Sequence, residues 1–516
     1  MPETVQTTHK LEKNMSHLFR TTALISLIAS PAFADITAQD ALDMIKAQNA
    51  AMGLKMEVSQ SRKGDTVTLD DIKLTGQLPF EWGSVELTSS GISLTENADG
   101  TVAMKLPDSL PFAMALSLPD DVYVTAQATS HAENYQNILS GTPGDIQMRY
   151  SMDRTHLELT ELTATGAETF TLDFSLDITD VAGLSHFKTG NMLTGMQQYS
   201  YGGMDMSWTY QFGKVGSTNS FTSGRTSGKN SFALPANGID FANSAAQLRD
   251  GMALELSSEM QDYHTKATIY IADKLQQKQD ASVRNTVTDI RISADGFGIM
   301  SKAEGYDLAI KLVQLPFDIK ASLTDAVANF KLPLLTSEQD QDLVYDVRLN
   351  GITLPEDLWA LMDPKNVLPH DPADLVVDMS GKGRLFYDLL DFKAMQKVAD
   401  EGLKFAEVTS ARLNQLELSA IGAHLLGSGA FTFDNSDLET LKGFPATEGT
   451  ASFKLTGING GIDALQKAGI ISPNDVMPMR MGLAAFFAAG DAPDTMVSDV
   501  KITLDGKIFT NGKRFK

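Results

Sequence analysis

Residues 168–179 read ETFTLDFSLDIT, and their alternation decides the fold. Phe170, Leu172, Phe174, Leu176 and Ile178 fall on every second position, with Thr171, Asp173, Ser175 and Asp177 between them. Successive side chains of a strand point to opposite faces, so the segment is a strand with one apolar and one polar face. A helix would scatter the same five residues around its circumference. One-sided alternation of this kind belongs to an antiparallel sheet with one face toward water. The five apolar residues are therefore the candidate wall of an apolar groove. The plainer alternative is that they are ordinary core beneath the protein's own helices.

The same period extends in both directions. Immediately upstream lie DIQMRYSM and THLELTELTATG. Further back, TVTLDDIKLTG places Val67 and Leu69, then Ile72 and Leu74, in alternation, with a slip at Asp70-Asp71 that reads as a bulge. Val85 and Leu87, Ile92 and Leu94, and Val102 and Met104 are inward candidates, and Asn97–Gly100 turns the chain. Downstream, MALELSS resumes the period with Met252, Leu254 and Leu256. LNQLELSAIGAHLLGSGAFTFD returns to it again, with Gly422, Gly427 and Gly429 allowing bends or close backbone approach. Residues 186–230, rich in Gly, Ser, Met and aromatics, read as exposed strands with long polar loops. A Met- and Tyr-lined contact surface or soft-metal site is the functional alternative for that stretch, with His186 as its histidine.

Helices are few. Thr37 and Asp40 form a capping pair for a helix that Gly53 stops. Residues 243–250 form a short second helix ended by Gly251, so helix followed by strands occurs twice. Leu354-Pro355-Glu356-Asp357 opens a third, ended by Asp363-Pro364, and residues 387–401 a fourth. Beyond Gly457 come two short helices, the second with Ser472 as cap and Pro473 at its first position. Met479, Leu483, Phe486 and Phe487 share one face of it, and a hairpin turning at Asp505-Gly506 closes the chain. Leu-Pro-Phe recurs at residues 78, 110 and 315. The fold expected is mainly β (α+β): a long curved antiparallel sheet, in two duplicated halves, with a few short helices packed on it. The regions are 35–235 and 236–516.

Residues 16–34, SHLFRTTALISLIASPAFA, have a basic start, a short apolar run and a small-x-small site before Asp35. Residues 1–34 therefore read as a signal peptide, starting at Met1 or at the better-placed Met15, with Asp35 expected as the first mature residue; the alternative is a buried N-terminal helix. No later segment reaches eighteen uninterrupted apolar residues, so no transmembrane helix is expected in the mature chain. The chain carries 42 Lys and Arg against 65 Asp and Glu, a net charge of −23. That balance argues against nucleic acid as a partner. There is no cysteine, which removes disulfides, thiolate metal sites and cysteine nucleophiles.

No motif carries chemistry. His131, His156, His186, His264, His370 and His424 lie far apart, without paired-ligand spacing. Residues 224–230, GRTSGKN, are one residue short of a phosphate loop and end in Asn230 where the motif needs a hydroxyl. The acid pairs Asp70-Asp71 and Asp120-Asp121 read as solvated turns. No catalytic residue, cofactor or metal is assigned.

The last sixty residues, the GAHLLGSGAFTFD strand pair and the LPEDLWALMDP turn resemble a Gram-negative family, domain of unknown function 2125. The resemblance is taken to cover most of the mature chain. The closing LDGKIFTNGKRF hairpin is also similar to envelope proteins with long AsmA-like sheets. These resemblances imply a periplasmic protein with an extended, curved β-sheet and no catalytic residues. The function expected is that of a non-catalytic envelope protein holding a lipid or another hydrophobic partner on its sheet. The alternatives are a secreted hydrolase of envelope polymers using dispersed carboxylates, and an adhesion module built on residues 186–230.

Overall fold

A computed structural model describes residues 35–78, 82–165 and 170–515. Residues 1–34, where a leader is expected from the sequence, and the Pro79-Phe80 part of the first Leu-Pro-Phe copy lie outside the described residues. The fold is mainly β, with 27 strands in one antiparallel sheet among the described residues. Among the described residues there are six α-helices.

Helix α1 (Ala38–Ala51) comes first, held by the Thr37–Asp40 capping box. β1 (Leu54–Lys63) pairs with β2 (Thr66–Gln77), which then forks. The last residues of β2 pair with β3 (Ser84–Ser89), its first with β4 (Ile92–Glu96). One branch continues from β4 through β5 (Val102–Lys105), the other from β3 through β6 (Ser109–Leu118) to β7 (Val122–Glu133). The first branch passes on to β8 (Gln136–Thr142). Both reunite on the long strand β9 (Asp145–Thr165), which unites the two segments DIQMRYSM and THLELTELTAT. β10 (Phe170–Lys188) pairs along β9 and forks in turn, to β11 (Met192–Tyr201) and β12 (Gly203–Phe212). β13 (Val215–Ser223) extends the β12 branch and β14 (Thr226–Pro235) the β11 branch. Both close on β15 (Ala253–Ile271), so the sheet runs unbroken past residue 235. The polar loops expected over 186–230 are tight turns instead, at 189–191, 202, 213–214 and 224–225.

After the short helix α2 (Ser244–Arg249) the sheet becomes a simple succession. It runs through β16 (Lys274–Ser293), β17 (Gly296–Leu312), β18 (Ile319–Leu332) and β19 (Gln341–Ile352). Helix α3 (Glu356–Met362) precedes β20 (Ala373–Leu385). Helix α4 spans Phe392–Glu401, not 387–401, because the Asp391 side chain accepts the Ala394 N–H and starts the helix there. β21 (Ala406–Ala420), β22 (Ala423–Asp434) and β23 (Ala446–Thr456) follow. Helices α5 (Ile458–Ala468) and α6 (Pro473–Phe486) interrupt the sheet. β24 (Ala488–Ala489), β25 (Thr495–Ile502), β26 (Ile508–Thr510) and β27 (Lys513–Arg514) complete it.

The forks divide the first part of the sheet into two tiers, and a crease marks their border. Each long strand has one residue there that skips its pairing. Asp180 of β10 faces Asp153 of β9, and Asp262 of β15 faces Arg284 of β16. Asp71, Asp180, Asp262 and Gly305 all take the left-handed conformation, at φ 45°, 51°, 48° and 66°. Aspartate enters that region more readily than most L-residues because its short side chain bonds locally, and glycine enters freely. The extra residue has a second effect. Ile178 and Phe187 are an odd number of positions apart and would point to opposite faces of a regular strand. The insertion restores them to one face, so the apolar side is continuous across the crease.

Helix α1 lies on that apolar side. Its Leu42 and Met44 share a core with Leu69, Leu94, Val102, Leu139, Ile146, Phe187 and Leu193. The helix packs against β1, β2 and β4 and also against β11. In a flat sheet β2 and β11 would lie roughly 29 Å apart, at about 4.8 Å per strand. A helix about 10 Å across touches both only because the sheet curls around it. A smaller cluster of Ala245, Leu248 and Leu335 anchors α2. Beside it, the Arg249 guanidinium grips both oxygens of Asp388 at 2.6 and 2.7 Å, and Thr336 donates its N–H and hydroxyl to the same carboxylate.

Burial elsewhere is thin. The chain exposes 30729 Å², where a compact monomer of 55.8 kDa exposes roughly 18,000 Å². An allowance of roughly 7,000 Å² for the residues outside the description, at the extended-chain value, leaves the excess standing.

Two stability measurements follow. Leu42 is 1% exposed in the plug of the curled tier. Leu42→Ala is expected to lower unfolding free energy by about 2–5 kcal/mol in urea titration. The second concerns acid. The bonds from Arg249, and those from Thr336, outweigh burial and hold the Asp388 carboxyl at about 2, below its ordinary 3.8. A lowered folded-state pKa contributes stability above the unfolded value and loses it as pH falls toward 2. Asp388→Asn should cost about 1–2 kcal/mol at neutral pH. Melts compared between pH 5 and pH 2 should show the variant's deficit shrinking as acid is added.

Candidate hydrophobic-ligand site

The five groove residues sit in the half of β10 that pairs with β12, in the tier that α1 does not fill. Directly opposite them stand five more large apolar side chains. Phe170 faces Phe212, Leu172 faces Tyr210, Phe174 faces Trp208, Leu176 faces Met206 and Ile178 faces Met204. Opposed residues on one sheet face lie about 5 Å apart, so the ten side chains form one contiguous block. Leu157 of β9 extends it on one side, opposite Leu176. Phe221 of β13 extends it on the other, opposite Met206, and its ring lies 5.5 Å from that of Tyr263. Tyr263 then faces Val283, and Val283 faces Tyr306. The two segments that single out an apolar strand and a Met- and aromatic-rich stretch in the sequence thus form one wall.

That wall is partly covered along its length and fully exposed only at Phe212. All of its ten residues are partly or fully exposed, and Phe212 keeps 47% of its surface in water. Helix packing on the sheet is concentrated elsewhere, with α1 on β1, β2, β4 and β11 and α5 on β22. The reverse face is polar: Ser175 and Ser207 share a hydrogen bond at 2.8 Å, and Arg154 pairs with Asp177. The neighbouring tier of the same strands curls around α1 on the apolar side. The result is a tier plugged by α1 and an aromatic and methionine wall beyond it.

Polar groups mark the crease beside the wall. Ser223 and Thr226 flank the turn between β13 and β14, and both hydroxyls are buried without a partner. Tyr150, Tyr199 and Tyr306 also belong to this side, and burial pushes all three phenols above their ordinary pKa of 10. An amphiphile could rest its chain on the wall and its polar end against these hydroxyls.

The histidines belong to the polar face. His156 pairs with Asp177 at 3.0 Å, His264 with Asp280 at 2.6 Å and His424 with Glu417 at 3.0 Å. His186 pairs with Asp145 at 2.5 Å, and hydrogen bonds from His186 and Lys188 hold that carboxyl below its ordinary pKa. Met204 and Met206 line the opposite face, away from His186, whereas Met196 of β11 stands directly opposite His186. Asp363 is fully buried and accepts the Val367 and Leu368 N–H groups at 2.6 Å, 3.7 Å from His370, whose ring stacks on Trp359. That cluster closes the turn after α3. Among the described residues no three His, Cys, Asp or Glu gather in a group that could hold a metal ion. Residues 224–230 are the turn into β14 and its first residues.

The model of a family described as an uncharacterized protein conserved in bacteria (DUF2125) matches residues 255–511. The match begins within β15 and so covers less of the chain than the resemblance drawn on the sequence, leaving the two tiers and most of the wall outside it. No curated protein and no solved structure matches the chain, and nothing here supports the likeness to AsmA-like sheets.

Because Phe174 is only partly covered, Phe174→Asp is expected to leave the strand-rich circular dichroism spectrum and cooperative melt intact. Its cost should stay at about 1–2 kcal/mol, below that of a core cavity. Loss of folding would show that Phe174 is covered core, where a buried charge is severe.

Proposed function

The chain belongs, through residues 255–511, to the family described as an uncharacterized protein conserved in bacteria (DUF2125), and on that premise we propose a non-catalytic, exported envelope protein that holds a lipid chain. The observation that carries this reading is the partly exposed wall of Phe170, Leu172, Phe174, Leu176 and Ile178 against Phe212, Tyr210, Trp208, Met206 and Met204. Exposed apolar patches beyond a few hundred Å² are uncommon on soluble monomers and mark interaction sites. A wall built of aromatic and methionine side chains suits a flexible apolar chain, because methionine adapts its shape to an irregular contact. Binding would come from apolar area removed from water, at roughly 25 cal/mol per Å² before the ordering of the chain is subtracted. The periplasm as compartment rests on the leader at 1–34 with Asp35 as the mature start, which N-terminal sequencing of the exported form tests.

Organic extraction and native mass spectrometry of the purified protein should reveal co-purified acyl lipid, and added lipid should raise the melting temperature. Phe174→Asp should weaken uptake at least tenfold, read by quenching with a brominated fatty acid of Trp208 fluorescence. Absence of bound lipid together with no thermal gain would leave the wall as a structural face only.

A further inference from the structure

Helix α6 is a second apolar surface, remote in sequence from the wall and of different construction. Its inward stripe is Val476, Arg480 and Leu483, the three residues of the helix that are partly covered after its first turn. Arg480 in that stripe donates to Asp463 of α5 at 2.7 Å. Every other position from residue 477 to 486 is exposed, and none of them carries a charge. Met477 and Met481 are each 66% exposed, and Met479 and Phe486 are 40% and 46% exposed. The outer side of a water-facing helix normally carries Lys, Glu or other polar residues. Here that side is methionine, alanine, glycine, proline and phenylalanine.

The apolar exposure covers most of the circumference instead of a single stripe. A protein groove accepts a stripe, with anchors at helical spacing along one side. A helix that is apolar on nearly all its free sides fits a medium that surrounds it. The flanking segment lacks the acid excess of the rest of the chain. Residues 457–516 carry seven basic and six acidic side chains in a chain of net charge −23. Lys513 is exposed on β27, and two residues further along Phe515 places its ring 5.0 Å from that of Phe486, at the end of α6. Methionine also suits an irregular, fluid contact, being unbranched and polarizable.

We propose that α6 and the adjoining terminal hairpin dock the protein on a lipid bilayer with anionic headgroups. The outer side chains of α6 enter the headgroup–acyl boundary while Lys513 meets the headgroups, as interfacial helices do. This proposal stands apart from the lipid-chain reading, because docking requires no ligand on the wall.

Co-sedimentation of the full chain with vesicles tests it. Vesicles of phosphatidylcholine containing phosphatidylglycerol should carry the protein down, more than phosphatidylcholine alone, and added salt should weaken the difference. Met477→Asp with Met481→Asp should reduce the bound fraction at least tenfold while the melting temperature stays unchanged, since neither side chain is buried. Lys513→Glu should weaken binding to the anionic vesicles selectively. The proposal is overturned if the full chain binds neither vesicle, or if the double variant binds as well as the parent. It is also overturned if the parent forms a dimer that the double variant abolishes while vesicles bind neither, for then α6 meets a second copy.

Discussion

Side-chain parity governs this molecule. A strand keeps its apolar residues on one face only while residues are counted in twos, and a single extra residue turns every later side chain over. The two-tier sheet crosses its own crease on strands as long as β9 and β10 without losing its apolar side, because one residue per strand is spent at the crossing. Asp180 and Asp262 fill that place at positive φ. Replacing them by β-branched residues would press the backbone toward regular pairing and set half of each strand against the other. Curl, plug and wall all depend on this correction.

One apolar side on one sheet also has to be covered. Most β-proteins answer with a second sheet or a layer of helices. Here α1 covers a single tier, and Leu42 and Met44 gather seven strands around it. The adjoining tier carries aromatics and methionines of comparable size with much less over them. The accessible area of the whole chain reflects the same imbalance. A stable protein with so little core leans on its ladder hydrogen bonds and on local clamps such as Arg249–Asp388, and leaves apolar surface free for a partner.

Much of this was legible in the sequence. The alternation at Phe170–Ile178, the cap at Thr37, the slip at Asp70-Asp71 and the Asp505-Gly506 turn are local signals, and each lies where its chemistry places it. The forks were not legible, because the two halves of β9 look alike in text and differ only in which distant strands they meet. The crease was visible once, at Asp70-Asp71, but Asp180 and Asp262 are lone acids in polar company and carry no mark. The glycines of residues 186–230 misled for a physical reason. Gly195 and Gly228 lie under the rings of Phe232 and Tyr199, where any side chain would collide, so they mark strand packing and not loops. The start of α4 was misplaced because Leu389 and Leu390 continue the apolar period ahead of the Asp391 cap. That Met204–Phe212 would stand opposite Phe170–Ile178 follows from strand pairing alone.

The absence of cysteine from the chain makes the central claim directly measurable. A single thiol introduced by Phe174→Cys reports the openness of the wall, and one introduced by Leu42→Cys reports the closed plug. In the folded, lipid-free protein the account predicts that maleimide labels the first at a rate near that of an exposed strand and leaves the second protected. Equal protection of both positions would mean that the wall is covered core, and would contradict the proposed lipid site.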